Sequence, residues 1–344
     1  MKYHTVLLND TETGMIVLGM EDLMRTSGCD HDFNDMIFTI TTYPTDALYT
    51  EDIAIVPNPD DEDGDGVLDP DDDHPDDDDR AFDVYTPSAD GVGTFVWEDS
   101  WPRHGDYDFN DLVVQYQFLR VSNKDNKVLD LMARFQVQAW GSTNQDGFAF
   151  RLPGLTPSQV LTATLSVNGA AAMPITPEAG QTDLVFPIAQ DMNDYLTPGA
   201  GCDFFNTEAG CWEGAGPQFE LRITFKTALA QTAVGVPPWD PFVFRTTRRG
   251  QEIHLPDMPP TALADMSLFR TQDDDSNPAT GRWYRSICNL PWTLDIPTTF
   301  AWPLEGAEVS TAYPSFLDWV ESSGATHKDW YQVGGVSQHI WSHP

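Results

Sequence analysis

Apolar and polar residues alternate over short stretches through most of this 344-residue chain, with Gly, Pro, Asn and Asp between the stretches. Alternation with a period of two predicts half-buried strands bounded by turns. Residues 3–8 and 15–20 read as a strand pair, with Asn9, Asp10 and Gly14 in the turn, and residues 36–42 as a third, β-branched strand. Residues 57–79 have no apolar period and hold four prolines. The pattern then resumes. Strands are expected at 93–98, 112–118, 129–140, 147–152, 160–167, 182–188, 218–227, 242–247 and 292–296. Within 129–140, Leu131, Ala133, Phe135, Val137 and Ala139 share one face. Only 313–322 looks helical, with Phe316, Leu317, Trp319 and Val320 as its apolar side. Many short strands with frequent turn signals predict an all-β fold: an antiparallel, jelly-roll-like β-sandwich with little helix. The expected division is a small β unit (1–57), an acidic linker (58–79) and a larger sandwich (80–344).

Charge narrows the partners. The formal net charge is -36, and residues 58–79 hold 13 of the 54 acids with no Lys or Arg. The other 41 acids still outnumber the 18 bases. Such a chain repels nucleic acid and anionic lipid headgroups, so cations, basic proteins or neutral ligands such as sugars are the expected partners. No apolar run reaches the roughly 18 residues that a transmembrane helix needs.

The chemistry concentrates in a phrase used twice. Asp30-His31-Asp32-Phe33-Asn34-Asp35 recurs as Asp106-Tyr107-Asp108-Phe109-Asn110-Asp111, and each copy runs into three apolar residues. An acidic pair precedes each copy, Glu21-Asp22 and Glu98-Asp99. Carboxylates this dense repel unless a cation sits among them. Alternate Asp residues can point one way while Phe33 or Phe109 anchors in the core. Asn34 and Asn110 can offer a side-chain oxygen or take a left-handed turn. Without a metal, the same residues would act as turn and capping aspartates.

Between the copies, Asp61, Asp63 and Asp65 alternate as the first three ligands of a calcium loop do. Gly66 supplies the sharp turn, Val67 a carbonyl, Leu68 an inward apolar residue, and Asp69 and Asp72 the later ligand positions. Position 12 is Asp rather than Glu, and Pro57, Pro59, Pro70 and Pro75 exclude flanking helices. The expected element is therefore a calcium loop without an EF-hand, similar to thrombospondin type 3 repeats. Asp69, Asp71, Asp73 and Asp76 to Asp79 can serve a second ion. Several calcium ions are the expected cofactor.

Paired carboxylates can also hydrolyse glycosides. Acids are so abundant here that pairs carry little information, and no H-E-x-x-H, G-x-S-x-G or P-loop pattern is present. A non-enzymatic role is expected. Of the 11 tryptophans, Trp97, Trp101 and Trp140 lie beside strand ends and are the expected exposed candidates for a sugar-binding face. Cys202 and Cys211 flank a short loop suited to a local disulfide, and Cys29 with Cys288 is a second possible pair; free thiols are the alternative. Residues 341–344 resemble the start of a streptavidin-binding tag, so His343 is given no functional weight.

The sequence resembles the bacterial LruC-type domain proteins. The carrying segments begin with Thr5-Val6-Leu7-Leu8 and Val17-Leu18-Gly19-Met20-Glu21-Asp22, followed by both D-x-D-F-N-D copies. The Asp63-Gly64-Asp65-Gly66-Val67 loop, Arg80-Ala81-Phe82 and Trp97-Glu98-Asp99-Ser100-Trp101-Pro102 complete them, over residues 5–155. The resemblance implies an exported or outer-surface bacterial protein, often lipidated, with no defined activity. No basic-then-apolar signal stands at Met1-Lys2-Tyr3-His4, so either a cytoplasmic chain or a processed or truncated exported one is expected. Millimolar calcium outside cells favours export. The expected function is a calcium-stabilised extracellular surface or matrix protein in adhesion or assembly. A calcium-dependent carbohydrate-binding module and a filament subunit joined by strand donation are the alternatives.

Overall fold

The structure is a computed structural model that describes residues 3–11, 13–22, 32–43, 47, 49–56 and 60–342. Expectations for Cys29, Asp30, His31, Pro57, Pro59 and His343 fall outside the described residues. The chain forms two compact units, Met1–Asp79 and Arg80–Pro344.

The smaller unit is one sheet of β1 (Thr5–Asp10), β2 (Met15–Met20), β3 (Met36–Ile40) and β4 (Ala54–Ile55), in the order β3-β2-β1-β4. β1 and β2 pair antiparallel from Thr5↔Met20 to Asp10↔Met15. Asn9 and Asp10 therefore belong to the strand rather than the turn. The turn lies beyond them, where Gly14 takes φ 69° and its N–H reaches Asp10 O at 2.9 Å. Among the described residues of this unit, Ile16 is the only buried large apolar side chain. A sheet with so little core is marginal without another stabilising influence.

The larger unit carries twelve strands. The first six are β5 (Phe82–Thr86), β6 (Gly93–Trp97), β7 (Leu112–Ser122), β8 (Val128–Ala139), β9 (Asp146–Leu152) and β10 (Val160–Val167). The rest are β11 (Met173–Pro174), β12 (Leu184–Ala189), β13 (Gln218–Leu229), β14 (Asp240–Arg245), β15 (Glu252–Ile253) and β16 (Thr293–Ile296). One sheet runs β11-β10-β13-β8-β7-β6-β16, with β5 also on β7, and the second runs β12-β9-β14-β15. Every strand pair in this unit is antiparallel. The two sheets face each other across an aromatic core. Phe118 stacks on Phe150 at 5.5 Å, and Phe135 and Trp97 meet Phe148 edge-on. This is the expected antiparallel sandwich with little helix.

The outer face of the large sheet is covered as well. Val96, Val113, Ala139, Leu294 and Ile296 pack against a C-terminal cap containing α2 (Val309–Ala312) and α3 (Phe316–Glu321). Helix α1 (Gln231–Val234) is a single turn elsewhere. β7 is thus buried on both faces: Leu112 and Val114 point into the sandwich and Val113 into the cap. Phe316 and Val320 are the buried face of α3, Trp319 packs beside them, and Leu317 points outward, contrary to expectation. A six-residue helix has room for one narrow buried stripe, and Leu317 lies off it.

Trp97, Trp101 and Trp140 are buried, not exposed. Each indole N–H finds an acceptor: Ile253 O, Asp274 Oδ1 and Asn193 Oδ1, at 3.2, 3.1 and 3.3 Å. That removes the penalty that would otherwise hold an indole at the surface. Cys202 and Cys211 form a disulfide, and Cys288 is free and exposed.

One buried charge cluster ties β14 to β15. His254 lies between Asp240 (Nδ1–Oδ2 2.8 Å) and Glu252 (Nε2–Oε2 3.0 Å), with the Phe242 ring stacked on it. Burial alone would depress its pKa, but the two carboxylates reverse this and hold it above the ordinary histidine value. Burial likewise opposes ionisation of Glu252, yet His254 and Arg249 pull it down to about 2. Below the unfolded histidine value the imidazolium contributes fully, and the contribution is lost as pH rises through the folded pKa. Glu252 contributes above its unfolded value and loses that only as pH falls toward about 2. His254→Gln is expected to destabilise the larger unit by about 3 kcal/mol near pH 6 and by clearly less near pH 9. Urea unfolding at the two pH values checks this; an equal loss at both would mean that folding does not raise the His254 pKa.

Candidate metal centres

The described part of the first copy, Asp32 to Asp35, folds into the same turn as its counterpart in the second, Asp108 to Asp111. Phe33 and Phe109 each take φ 56°, a left-handed conformation that costs a bulky residue about 1–2 kcal/mol. In both copies, the backbone N–H of Asn34 or Asn110 donates to the Asp two residues earlier, at 3.1 Å. The last Asp of each phrase accepts from the second acid of the preceding pair: Asp22 N to Asp35 Oδ2 at 2.9 Å, and Asp99 N to Asp111 Oδ2 at 2.7 Å. The phenylalanine, not the asparagine, is the left-handed residue. The asparagine is held at the start of pairing, as the Met20↔Asn34 bridge shows in the first copy. The strained aromatic is anchored in the second copy: Phe109 is fully buried against Tyr107 and Phe316.

In the second copy, Glu98 follows β6 directly and is 0% exposed. Carboxylate oxygens of Glu98, Asp106 and Asp108 lie within 4.8 Å of one another. Tyr107 N donates to Glu98 Oε2 at 2.9 Å, while Glu98 Oε1 has no donor. Asp108 Oδ2 accepts from Gly306 N of the cap loop at 2.8 Å. Burial first, then Asp106 and Asp108, push Glu98 well above the carboxylate range. Burial and Asp106 carry Asp108 up to about 8. Gly105 is required here: it takes φ +76°, and a Cβ would fall 2.0 Å from Glu98 Oε1.

Asp99 and Asp111 sit beside this centre rather than in it. Asp99 accepts from Ser142 Oγ and from Asn144 Nδ2 (3.0 Å), and Arg245 reaches the Asp99 carbonyl (3.1 Å). Burial and the Asp99 charge raise Asp111 well above its ordinary range. Asn110 Nδ2 donates to Pro303 O at 3.2 Å. In the first copy, Glu21, Asp22 and Asp35 come together within 4.8 Å. Both Glu21 carboxylate oxygens are buried without a donor. Asp32 is turned instead to Asn34, whose Nδ2 donates to it at 2.6 Å.

The middle element brings Asp61, Asp63 and Asp65 within 4.8 Å. Gly64 (φ 76°) and Gly66 (φ 100°) make the turn. Each Asp side chain accepts from a backbone N–H two or three residues on: Gly64, Asp65 and Val67, at 2.9, 3.0 and 2.6 Å. Asp72 is buried and feels both Asp65 and Asp63; burial first, then these charges, raise its pKa. One oxygen each on Asp63 and Asp72 lacks a donor. Asp69 caps Glu62 N at 2.8 Å instead of joining the cluster, and Asp71 and Asp73 are exposed residues outside it. Leu68 is 44% exposed rather than inward, and only a single 3-10 turn, Asp69–Asp71, follows it. Asp77, Asp78 and Asp79 form a further, mostly exposed group.

Two acids were not singled out by the sequence motifs. Asp146 at the start of β9 is buried, has one donorless oxygen, and is carried up to about 9 by burial and Asp99. Glu305, half-buried in the cap loop, is raised to about 7 by burial, with Asp106 adding to it and a Thr207 hydroxyl opposing. Neither belongs to a local phrase; an isolated Asp-Gly or Glu-Gly step is their only signal. Among the described residues, the buried carboxylate oxygens without a donor belong to Glu21, Asp63, Asp72, Glu98 and Asp146. Where such an oxygen belongs to a carboxylate cluster, as at Glu21, Asp63 and Glu98, the arrangement suits a hard cation taking six to eight oxygens.

The fold and these clusters define a two-unit β protein whose larger unit is a capped antiparallel sandwich with carboxylate-lined loops. Residues 126–331, more than half of the chain, match the "Domain of unknown function (DUF4842)", and the chain belongs to that family. Residues 1–42 match the "Domain of unknown function (DUF4114)". No curated protein matches the chain. The fold is similar to that of a "Putative lipoprotein from Bacteroides ovatus" in its crystal structure. The TM-score is 0.59 at 16% identity, over 99% of this chain and 93% of that one. No described helix is long and apolar enough to cross a membrane.

Glu98→Gln removes a buried charge with one donorless oxygen. In chelator, the variant is expected to be at least as stable as the wild type. In millimolar calcium it is expected to melt about 5 °C or more below it, the loss of one well-filled site. Equal melting of the two proteins in both buffers would remove Glu98 from any metal centre.

Proposed function

We propose that this protein is a non-enzymatic, calcium-ordered β-sandwich protein of the bacterial exterior, acting in adhesion or surface assembly. The observation that carries the reading is Glu98, fully buried, with Oε1 unpaired beside Asp106 and Asp108. Burying an ionised carboxylate without a donor costs several kcal/mol unless a cation compensates. The Glu21-Asp22-Asp35 cluster, built from different members of its phrase, and the Asp61-Asp63-Asp65 loop extend the same argument to two more positions. Sites of this kind in extracellular modules bind calcium at about 10⁻⁴–10⁻³ M, a concentration met outside the cell. The LruC-type resemblance of residues 5–155 and the lipoprotein description of the Bacteroides ovatus protein support a surface location.

Bound calcium, counted on the purified chain, is the test. Asp108→Ala, Asp63→Ala and Glu21→Ala are each expected to lower the stoichiometry by one, and the triple variant to abolish it. Unchanged stoichiometry in all three would refute the site assignment, and no bound calcium in the wild type would refute the reading.

A second reading, assembly by strand addition, has one observation behind it. Edge strand β3 exposes all five of its residues, including Met36, Ile37 and Phe38. Its sequence, Met-Ile-Phe-Thr-Ile, carries none of the charges or prolines that usually protect edges. Electron micrographs of the wild type in calcium should then show fibres that Phe38→Lys abolishes. Dispersed particles in both samples would exclude the filament.

A further inference from the structure

We propose that the larger unit binds a neutral oligosaccharide in an aromatic cleft at the junction of β7, β8 and the C-terminal cap. The cleft holds about 490 Å³, enough for a sugar residue or two. Its walls include Trp212, Trp302 and Trp341 together with Gln115, Gln138 and Thr299, and among the described residues no ionisable side chain lines it. Such a wall is notable in a chain with 54 acids. A cation would prefer the carboxylate clusters, and an anionic glycan would be repelled by the net charge. Aromatic faces pack on the C–H face of a pyranose ring, and amide groups offer donor and acceptor together to neighbouring hydroxyls. The combination fits a neutral, hydroxyl-rich, partly apolar ligand better than a purely apolar one.

The aromatic wall is held ready. Trp302 and Trp341 are buried (4% and 5% exposed) and form the backing, stacked at 4.6 Å with 13° between their planes and joined by the Trp341 backbone N–H to Trp302 O at 2.9 Å, so Trp212 is the ring that meets the sugar. Trp341, despite the tag-like look of the terminal residues, is therefore an integral part of the packing. Trp302 Nε1 donates to Asn206 O at 2.9 Å. Trp212 remains 38% exposed, 5.1 Å from Trp341. It follows Cys211, which the disulfide ties to Cys202. The next residue, Glu213, donates its N–H to Asn206 Oδ1 at 2.9 Å. Asn206 is itself buried, and its Nδ2 bonds Gln138 O and Gly214 O, both at 2.8 Å. Trp212 is thus fixed from both sides before any ligand arrives, which lowers the entropy lost on binding. An exposed indole on so constrained a loop, facing amides from two adjacent strands, is the arrangement of a built sugar platform.

The test uses the whole chain in saturating calcium. It is screened on an array of neutral glycans, and then titrated with soluble hexaoses of glucose, mannose, galactose and xylose, read by tryptophan fluorescence and calorimetry. Polygalacturonate is the charged control. Binding of at least one neutral glycan is expected. Trp212→Ala should weaken it at least about tenfold, Gln138→Ala about threefold to tenfold, and Trp212→Phe only slightly. Melting temperatures should stay at the wild-type value, because Trp212 is partly exposed. No neutral glycan bound, binding of polygalacturonate alone, or binding that survives Trp212→Ala would each overturn the proposal. The sugar titration and the calcium count read different residues, so either reading can fail alone.

Discussion

Repulsion among buried carboxylates is the constraint on which this structure turns. Glu98 lies just after β6 with no solvent and one unpaired oxygen, and carboxylate oxygens of Asp106 and Asp108 lie within 4.8 Å. A protein interior tolerates such a group only if it is protonated or if a cation shares the space. The surrounding chain is arranged to bring acids together, not apart. Gly105 leaves no room for a side chain over Glu98, and Tyr107 N and Gly306 N hold two of the carboxylates in place. The cap is drawn in by the same residues. Tyr107 O accepts from Val309 N, and Phe109 packs on Phe316. Charge at the centre and burial of the cap are therefore coupled through one turn.

The two copies show what the phrase itself specifies and what its surroundings add. The left-handed phenylalanine, the Asp–Asn turn and the bond from the acidic pair to the last Asp are common to both. Burial is not. Phe109 and the strand after it lie between a sandwich and a cap, whereas Phe33 precedes the exposed β3. The smaller unit has a sheet, Glu21 with two unpaired oxygens, and little apolar core. The larger unit, by contrast, is built on a broad aromatic core.

Much of this was legible in the sequence because period-two alternation and turn residues are local signals. β8 and β13 were readable for that reason, as was β9 from its apolar run. β5, β11 and β15 were not, being short or weakly patterned pieces at sheet margins. The acidic phrases stood out by repetition, and the structure gathers acids from each. It also sorts them: Asp69 caps a turn, Asp99 serves a hydrogen-bond network, and Asp71 and Asp73 lie exposed outside the cluster. Spacing along the chain does not encode that sorting. Asp146 and Glu305 approach from distant loops, and tertiary packing alone places them. The tryptophans were misread for a related reason. Position beside a strand end suggested exposure, but acceptors such as Asp274, far off in sequence, satisfied the indoles inside.

The most direct measurement is thermal unfolding of the whole chain in millimolar calcium against chelator, with bound calcium counted in the same samples. The account predicts an upward shift of about 5 °C or more, accompanied by three or more bound ions. Identical melting curves with no metal retained would contradict it, and would mean that the buried acids are held protonated instead.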